Sequence, residues 1–297
     1  MPMPIVNPTK TIEILKKNGI RTAKSLGQHF LVDGNILKKI IAASNLTKDD
    51  VVLEIGAGIG TLTEALLEGA GEVLAVEYDS KFFPILEENF KAAENFHLVR
   101  ADALKIAPDH LPFKPNKVVS NLPYNIASPL IIKILEEFSG VGELVIMIQK
   151  EVAERMVAKP GTKDYGQLTL KVNYYAEPEM LFVVSKNVFL PPPKVSSAVL
   201  RLKRLPSYRV QVTNQKLLFN LISTVFGQRR KMVTNALSSL LHDKSKIVEV
   251  LLRAKIDPKK RGETLGLLDF AKLCDVIVEL DYERGKPLLP HLKMYSK

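Results

Sequence analysis

The chain is poor in cysteine, and that scarcity excludes several kinds of protein at once. Cys274 is the only one in 297 residues, so no disulfide can close within the chain and a disulfide scaffold is ruled out. A zinc site of clustered thiolates fails for the same reason. Long apolar runs are missing too. The opening MPMPIVNPTKTIEILKKNGI has no stretch long enough for a secretory signal, and no later run approaches the roughly 20 residues of a membrane span. Internal repeats and low-complexity tracts are likewise absent. What remains, with 46% hydrophobic and 25% charged residues, is a chain with real cores and enough length for two domains. It is expected in a reducing compartment, the cytoplasm, without a membrane partner and as a monomer.

The formal net charge of +10 is unevenly spread. Residues 1–48 carry a net +6, residues 49–205 a net −4 and residues 206–297 a net +8. An acidic-to-neutral centre between two basic ends suits an enzyme bound to a polyanion, with the chemistry in the middle.

From about residue 50, short β-rich runs alternate with helical ones, the signature of an α/β sheet. VVLEI (51–55), EVLAVEY (72–78), HLVRADAL (97–104), KVVSNLPY (117–124) and ELVIMIQ (143–149) hold the strands. Helices are expected through TLTEALLEG, through FFPILEENFKAAE, from Pro129 and through EVAERMV. LFVVS and SSAVLRLKRL read as a hairpin whose connection carries Pro191, Pro192 and Pro193. Beyond about 213 the period is helical. Leu217, Leu218, Leu221, Ile222, Val225 and Phe226 share one face, as do Met232, Val233, Ala236, Leu237, Leu240 and Leu241. Two further helices are expected near 245–254 and 265–281. The reading is an α/β domain over 1–205, including the basic segment 1–48, and a small basic helical domain over 206–297.

Residues 54–60 read Glu-Ile-Gly-Ala-Gly-Ile-Gly. Glycines after a buried strand let the backbone approach a ligand, and the following helix N-terminus offers free N–H groups. A dinucleotide motif running from Gly56 and Gly58 would need its third glycine at Thr61. Glu54 before the first glycine, with glycines at every second position, suits instead a cofactor without a pyrophosphate. Glu77 ends the second strand, where a carboxylate can accept both hydroxyls of a ribose. Asp102 follows the third strand, placed to accept from an exocyclic amine. Acids at consecutive strand ends face one C-terminal edge, where ligands bind in open α/β sheets. A cofactor with adenine, ribose and a positive sulfur, S-adenosylmethionine, is the natural occupant. No metal is implied.

Asn121-Leu122-Pro123-Tyr124 closes the fourth strand beside that pocket. The tetrapeptide resembles the Asn/Asp-Pro-Pro-Tyr signature of amino-methylating S-adenosylmethionine enzymes. With leucine in second place it resembles the ribosomal-RNA adenine N6-methyltransferases. An adenine amine is a poor nucleophile because its lone pair is delocalised into the ring. Acceptors at the Asn121 side-chain oxygen and the Leu122 carbonyl favour a more pyramidal nitrogen. Pro123 fixes the turn, and Tyr124 offers a face for an extruded base.

The resemblance extends along nearly the whole chain. Lys24-Ser-Leu-Gly-Gln-His-Phe-Leu31 is similar to a family segment that lies over the cofactor, which implies cofactor contacts from His29 and Leu31. Many members carry Asn where His29 stands. Gln149–Arg155 matches the segment after the fifth strand. Phe189-Leu-Pro-Pro-Pro-Lys-Val-Ser196 matches the family's Phe-x-Pro-x-Pro-x-Val-x-Ser loop, which implies that Phe189 holds the target base against Tyr124. Phe226–Lys231 and Arg261–Leu265 resemble family segments too, and Arg229, Arg230 and Lys231 read as a phosphate-contacting corner.

The nearest group is the KsgA-type dimethyladenosine transferases of small-subunit ribosomal RNA. Membership implies a class I methyltransferase fold, S-adenosylmethionine as cofactor and 16S rRNA as partner. The implied reaction places two methyl groups on each of two adjacent adenosines in a hairpin loop near the 3′ end. The related 23S rRNA methyltransferases and a non-catalytic ribosome-assembly factor are the competing readings.

Overall fold

The computed structural model describes residues 5–20, 28–284 and 288. The chain begins with α1 (Pro8–Lys17), β1 (Phe30–Leu31) and α2 (Gly34–Ser44). The alternating region follows as β2 (Val51–Ile55), α3 (Thr61–Gly69), β3 (Glu72–Glu77), α4 (Phe83–Phe90), β4 (Phe96–Arg100) and β5 (Lys117–Asn121). It continues through α5 (Ala127–Glu137), β6 (Glu143–Gln149), α6 (Lys150–Met156) and α7 (Gln167–Tyr175). Then come β7 (Ala176–Val184), β8 (Phe189–Leu190) and β9 (Ser197–Arg204). The chain closes with α8 (Gln215–Gly227), α9 (Val233–Leu237), α10 (Lys244–Arg253) and α11 (Leu267–Arg284).

Three of these helices, α1, α2 and α7, have no counterpart in the sequence reading, although the first two each carry a start signal. Asn7 accepts from the N–H groups of Thr9 and Lys10, with Pro8 in the first turn. Asp33 does the same for Asn35 and Ile36, and Leu37 and Ile40 turn inward behind it. Such caps satisfy N–H groups that a helix leaves without partners at its start.

The chain divides into two compact units. One holds the residues up to Glu154 together with Glu177–Leu205. Its sheet has the order β4-β3-β2-β5-β6-β9-β7. Strands β2 to β6 run parallel to their neighbours, and β9 lies antiparallel to β6, from Glu143 opposite Lys203 to Gln149 opposite Ser197. The parallel strands are apolar through their length because helices cover them; Val52, Leu53, Val73, Leu74, Val118 and Val119 are completely buried. From β2 the chain builds outward through β3 to β4, then crosses back to place β5 on β2's other side. That reversal opens a crevice at the strands' C-terminal ends.

Strands β7 and β9 are neighbours, as the hairpin reading expected, but their connection is no simple turn. It contains β8, which pairs antiparallel with β1: Phe30 lies opposite Leu190 and Leu31 opposite Phe189. At the end of β9, Arg204 caps α5. Its guanidinium donates to the carbonyls of Leu135 at 3.0 Å, Phe138 at 3.1 Å and Val141 at 2.6 Å, a cation set against the negative end of the helix.

The other unit comprises Arg155–Ala176 and the residues from Pro206 onward. Arg155–Ala176, read from sequence as part of the α/β region, therefore belongs with the helices. The predicted apolar face of α8 is buried at Leu217, Leu218, Leu221, Ile222 and Val225, and α8 packs on α7, α9 and α11. The long helix expected over 232–241 shortens to Val233–Leu237, with Met232 43% exposed. Gly262 permits a close approach: a Cβ there would lie 2.2 Å from Val225 Cγ1.

Candidate active site

The glycine turn after β2 is built on positive φ angles, 79° at Gly56, 57° at Gly58 and 88° at Gly60. L side chains disfavour this region, and at Gly60 a Cβ would also stand 2.4 Å from the Phe90 ring. Gly58 donates its N–H to Glu77 Oε2 at 2.8 Å. The turn feeds Thr61 into the start of α3, where its hydroxyl is buried without a hydrogen-bond partner.

Glu77 sits at the C-terminal end of β3, 7% exposed. Burial pushes its carboxyl up from the ordinary range, while the N–H groups of Asp79, Gly58 and Tyr78 pull the other way. These donors, at 2.8 Å each, leave about one of a carboxylate's roughly four acceptor directions for a ligand. Asp102 accepts the Leu104 N–H at 3.0 Å through Oδ1, while Oδ2 lies 3.7 Å from Lys105 Nζ. Glu54 is more deeply buried; that burial raises its pKa to about 8, partly countered by the Thr63 hydroxyl, which donates at 2.6 Å.

Strand β5 ends on Asn121, and the next residues turn at once, with the Ile126 N–H bonded to the Pro123 carbonyl. Asn121 Nδ2 donates to the His29 main-chain carbonyl at 3.2 Å. A carbonyl can only accept, so this contact orients the amide. Asn121 Oδ1, the other end, is buried with no partner among the described residues. Tyr124 shares a 2.6 Å hydrogen bond with Ser197 Oγ, and its ring centroid lies 5.4 Å from that of His29. His29 Nδ1 is 2.8 Å from the Pro191 carbonyl, so that nitrogen carries the proton.

These groups line one cavity of about 370 Å³, of a size suited to a small-molecule cofactor. His29, Leu31, Gly56, Gly58, Glu77, Asp102, Asn121, Leu122, Pro123 and Tyr124 all border it, as the sequence reading expected them to gather. Glu54, Thr61 and Tyr78 border it as well.

Three expectations need correction or restriction. Phe189 does not border the cavity: it is 3% exposed and packs in the core with Leu31, Val184 and Val199, because its pairing with Leu31 turns it inward. Its ring is not presented to a base. Arg229 is not a free cation. Its guanidinium bonds Glu263 Oε2 at 3.0 Å, the Thr162 carbonyl at 2.7 Å and the Lys163 carbonyl. Arg230 and Lys231 are exposed. Of the segment beginning at Lys24, residues 24–27 lie outside the described residues.

Ser197 escaped the sequence reading, which closed the proline motif on Ser196; counted out fully, Phe-x-Pro-x-Pro-x-Val-x-Ser ends on Ser197. Thr61 also escaped, since it entered only as the place where a dinucleotide motif breaks.

The chemistry of the donor set fits S-adenosylmethionine. Acids stand where a ribose and an adenine amine would need acceptors, a glycine cradle admits close backbone approach, and two of the lining residues, Thr61 and Asn121, each carry a buried polar atom without a partner among the described residues. This sheet order, with β9 antiparallel beside parallel strands, together with a pocket whose acids, glycine turn and Asn121–Tyr124 segment fit S-adenosylmethionine, is that of a class I methyltransferase.

Residues 19–277 match the family model described as ribosomal RNA adenine dimethylase. The chain belongs to that family, and it is an S-adenosylmethionine-dependent ribosomal RNA adenine dimethyltransferase. It is 46% identical over 272 residues to the ribosomal RNA small subunit methyltransferase A of Clostridium botulinum (strain Loch Maree / Type A3), covering 91% of this chain and 99% of the relative. The crystal structure of a dimethyladenosine transferase from Plasmodium falciparum matches with a TM-score of 0.74 at 30% identity, over 87% of this chain and 99% of that one. The 23S rRNA methyltransferase ErmE matches with a TM-score of 0.63 at 25% identity, over 83% of this chain and 98% of that one.

Proposed function

We propose that this protein methylates the N6 amines of two adjacent adenosines in a hairpin loop near the 3′ end of 16S rRNA, two methyl groups to each, during small-subunit biogenesis. The observation that carries the mechanism is the orphaned Asn121 Oδ1. A buried acceptor without a partner costs on the order of 1–3 kcal/mol, and an amine N–H arriving beside it removes that cost. Bound in the cavity, S-adenosylmethionine supplies a methyl group on a positively charged sulfur. The chain's part is positioning. Asn121 Oδ1 and the Leu122 carbonyl accept the amine's hydrogens and hold its lone pair toward the methyl. The Tyr124 face carries the extruded base, with no general base needed before attack. Gly56, Gly58, Glu77, Asp102, Leu31 and the main chain of His29 hold the cofactor, the His29 ring being engaged by Pro191 and Tyr124. A monomethylated amine keeps one N–H, so one of the two acceptors serves again in the second transfer. The unit of residues up to Glu154 with Glu177–Leu205 is the catalytic one, and the unit of Arg155–Ala176 with the residues from Pro206 onward the RNA-binding one, with Arg230 and Lys231 against phosphates.

The preference for the small subunit over 23S rRNA is supported by the similarity to the small-subunit enzyme over 91% of the chain. The test is label transfer from S-adenosylmethionine to unmethylated small subunits, followed by mass spectrometry of the digested rRNA. Large subunits and the Asn121→Ala protein are the controls. Two neighbouring dimethyladenosines in 16S rRNA, absent from both controls, are expected. Undiminished turnover in Asn121→Ala overturns the mechanism, and label in large subunits alone overturns the substrate.

A further inference from the structure

Tyr124 is held from two sides by residues that the family reading does not place there. Its hydroxyl meets Ser197 Oγ at 2.6 Å. Ser197 is completely buried at the start of β9, in register with Gln149 of β6, so this anchor is as rigid as the sheet. The ring is met by the His29 imidazole, tilted 32° to it at 5.4 Å. The imidazole is itself tied, through Nδ1–H to the Pro191 carbonyl at 2.8 Å. Directly after His29, the β1–β8 ladder fastens the same two stretches of chain together. An aromatic ring can turn about two side-chain torsions. Here the hydroxyl contact restrains the far end of the ring and the imidazole restrains its face.

We infer that Ser197 and the His29 side chain are positioning residues for methyl transfer, clamping the Tyr124 ring in the plane on which the target base stacks. The inference rests on the proposed role of Tyr124. It also separates the two parts of His29. The main-chain carbonyl that orients Asn121 survives any substitution, so changes at this position probe the ring alone. Phe189, sealed in the core, leaves the clamp as the means by which the base-bearing surface is held.

A double-mutant cycle on kcat tests the hydroxyl end. Ser197→Ala and Tyr124→Phe should each lower kcat about tenfold, since small misplacements near the reacting atoms are costly, and the double variant should lose no more than either single one. Losses that multiply would overturn the assignment of Ser197. At the ring face, His29→Ala should lower kcat about tenfold and His29→Phe restore it to within about threefold, whereas His29→Asn, which keeps a donor for Pro191 but no ring, should not. Rescue by Asn and not by Phe overturns the ring clamp. Cofactor affinity by calorimetry should stay within about twofold throughout; a loss appearing there instead also overturns the inference. Early release of monomethyladenosine in the variants is the product signature expected of a loosened base. Asn121→Ala keeps the two readings apart. If it abolishes transfer while Ser197 and His29 variants match the parent, only the clamp fails.

Discussion

Replacing Arg229 with alanine should unfold the helical unit before it weakens RNA binding, although sequence alone groups this arginine with Arg230 and Lys231. The guanidinium spans three acceptors: Glu263 Oε2 at 3.0 Å, the Thr162 carbonyl at 2.7 Å and the Lys163 carbonyl. The side chains of Arg229 and Glu263 are only 32% and 22% exposed. A hydrogen bond to a charged group is worth about 1.5–3 kcal/mol, and solvent at this depth discounts three of them to a net loss of about 2–4 kcal/mol. Thermal unfolding followed by circular dichroism should show the cost as a lower melting temperature. Arg230→Ala and Lys231→Ala, both exposed, should stay within about 0.5 kcal/mol of the parent. RNA titrations across salt should give the converse pattern. The Arg230/Lys231 double variant should lower the slope of log affinity against log salt by about 1–2, while folded Arg229→Ala keeps it. An Arg229→Ala protein as stable as its parent but with a flattened slope would refute the staple.

Other substitutions test the cofactor end and the packing. Glu77→Ala should weaken S-adenosylmethionine binding by about 1–3 kcal/mol, the loss of a charge-assisted acceptor; unchanged calorimetric affinity would remove Glu77 from the site. Glu54 has a folded pKa of about 8 against an ordinary 4.5, so it binds its proton more tightly when folded. Its contribution to stability is complete below the ordinary value and lost as pH rises through the folded one. Glu54→Gln should therefore lose less stability than the parent between about pH 5 and pH 8, and parallel melting curves would count against this. Gly262→Ala drives a methyl to 2.2 Å from Val225 Cγ1 and should cost about 1–3 kcal/mol in urea. An unchanged midpoint would mean that α8 yields easily.

Much of the site was legible because it is linear. Gly56, Gly58, Glu77, Asp102 and Asn121–Tyr124 sit at strand ends, and the period of the strands tells where the ends are. What escaped depends on pairing between distant segments. Nothing local to Phe189 says that two residues of β8 will bond to β1 and turn the ring into the core. Ser197 reads as one more strand residue until the sheet carries it to Tyr124. Arg229 differs from its neighbours only in facing Glu263 and two carbonyls, a fact that charge counting cannot contain. The helix α9 stops at Leu237 although its apolar spacing persists through Leu241; residues 238–240 continue as a turn, and the bridge of Met232 with Arg261 bears only on its start.

The contact between Asn121 Nδ2 and the His29 carbonyl also sets a polarity. An amide is nearly symmetrical in shape and opposite in character at its two ends, so one main-chain oxygen decides which end the cavity meets. In the proposed mechanism that end gives an incoming base a lone pair. A purine bearing an amine at C6 would answer it with a hydrogen; one bearing an oxo group would set lone pair against lone pair and leave two buried acceptors unmet. On that role guanine and hypoxanthine would be refused at this atom, before any contact with the surrounding RNA sequence has been made.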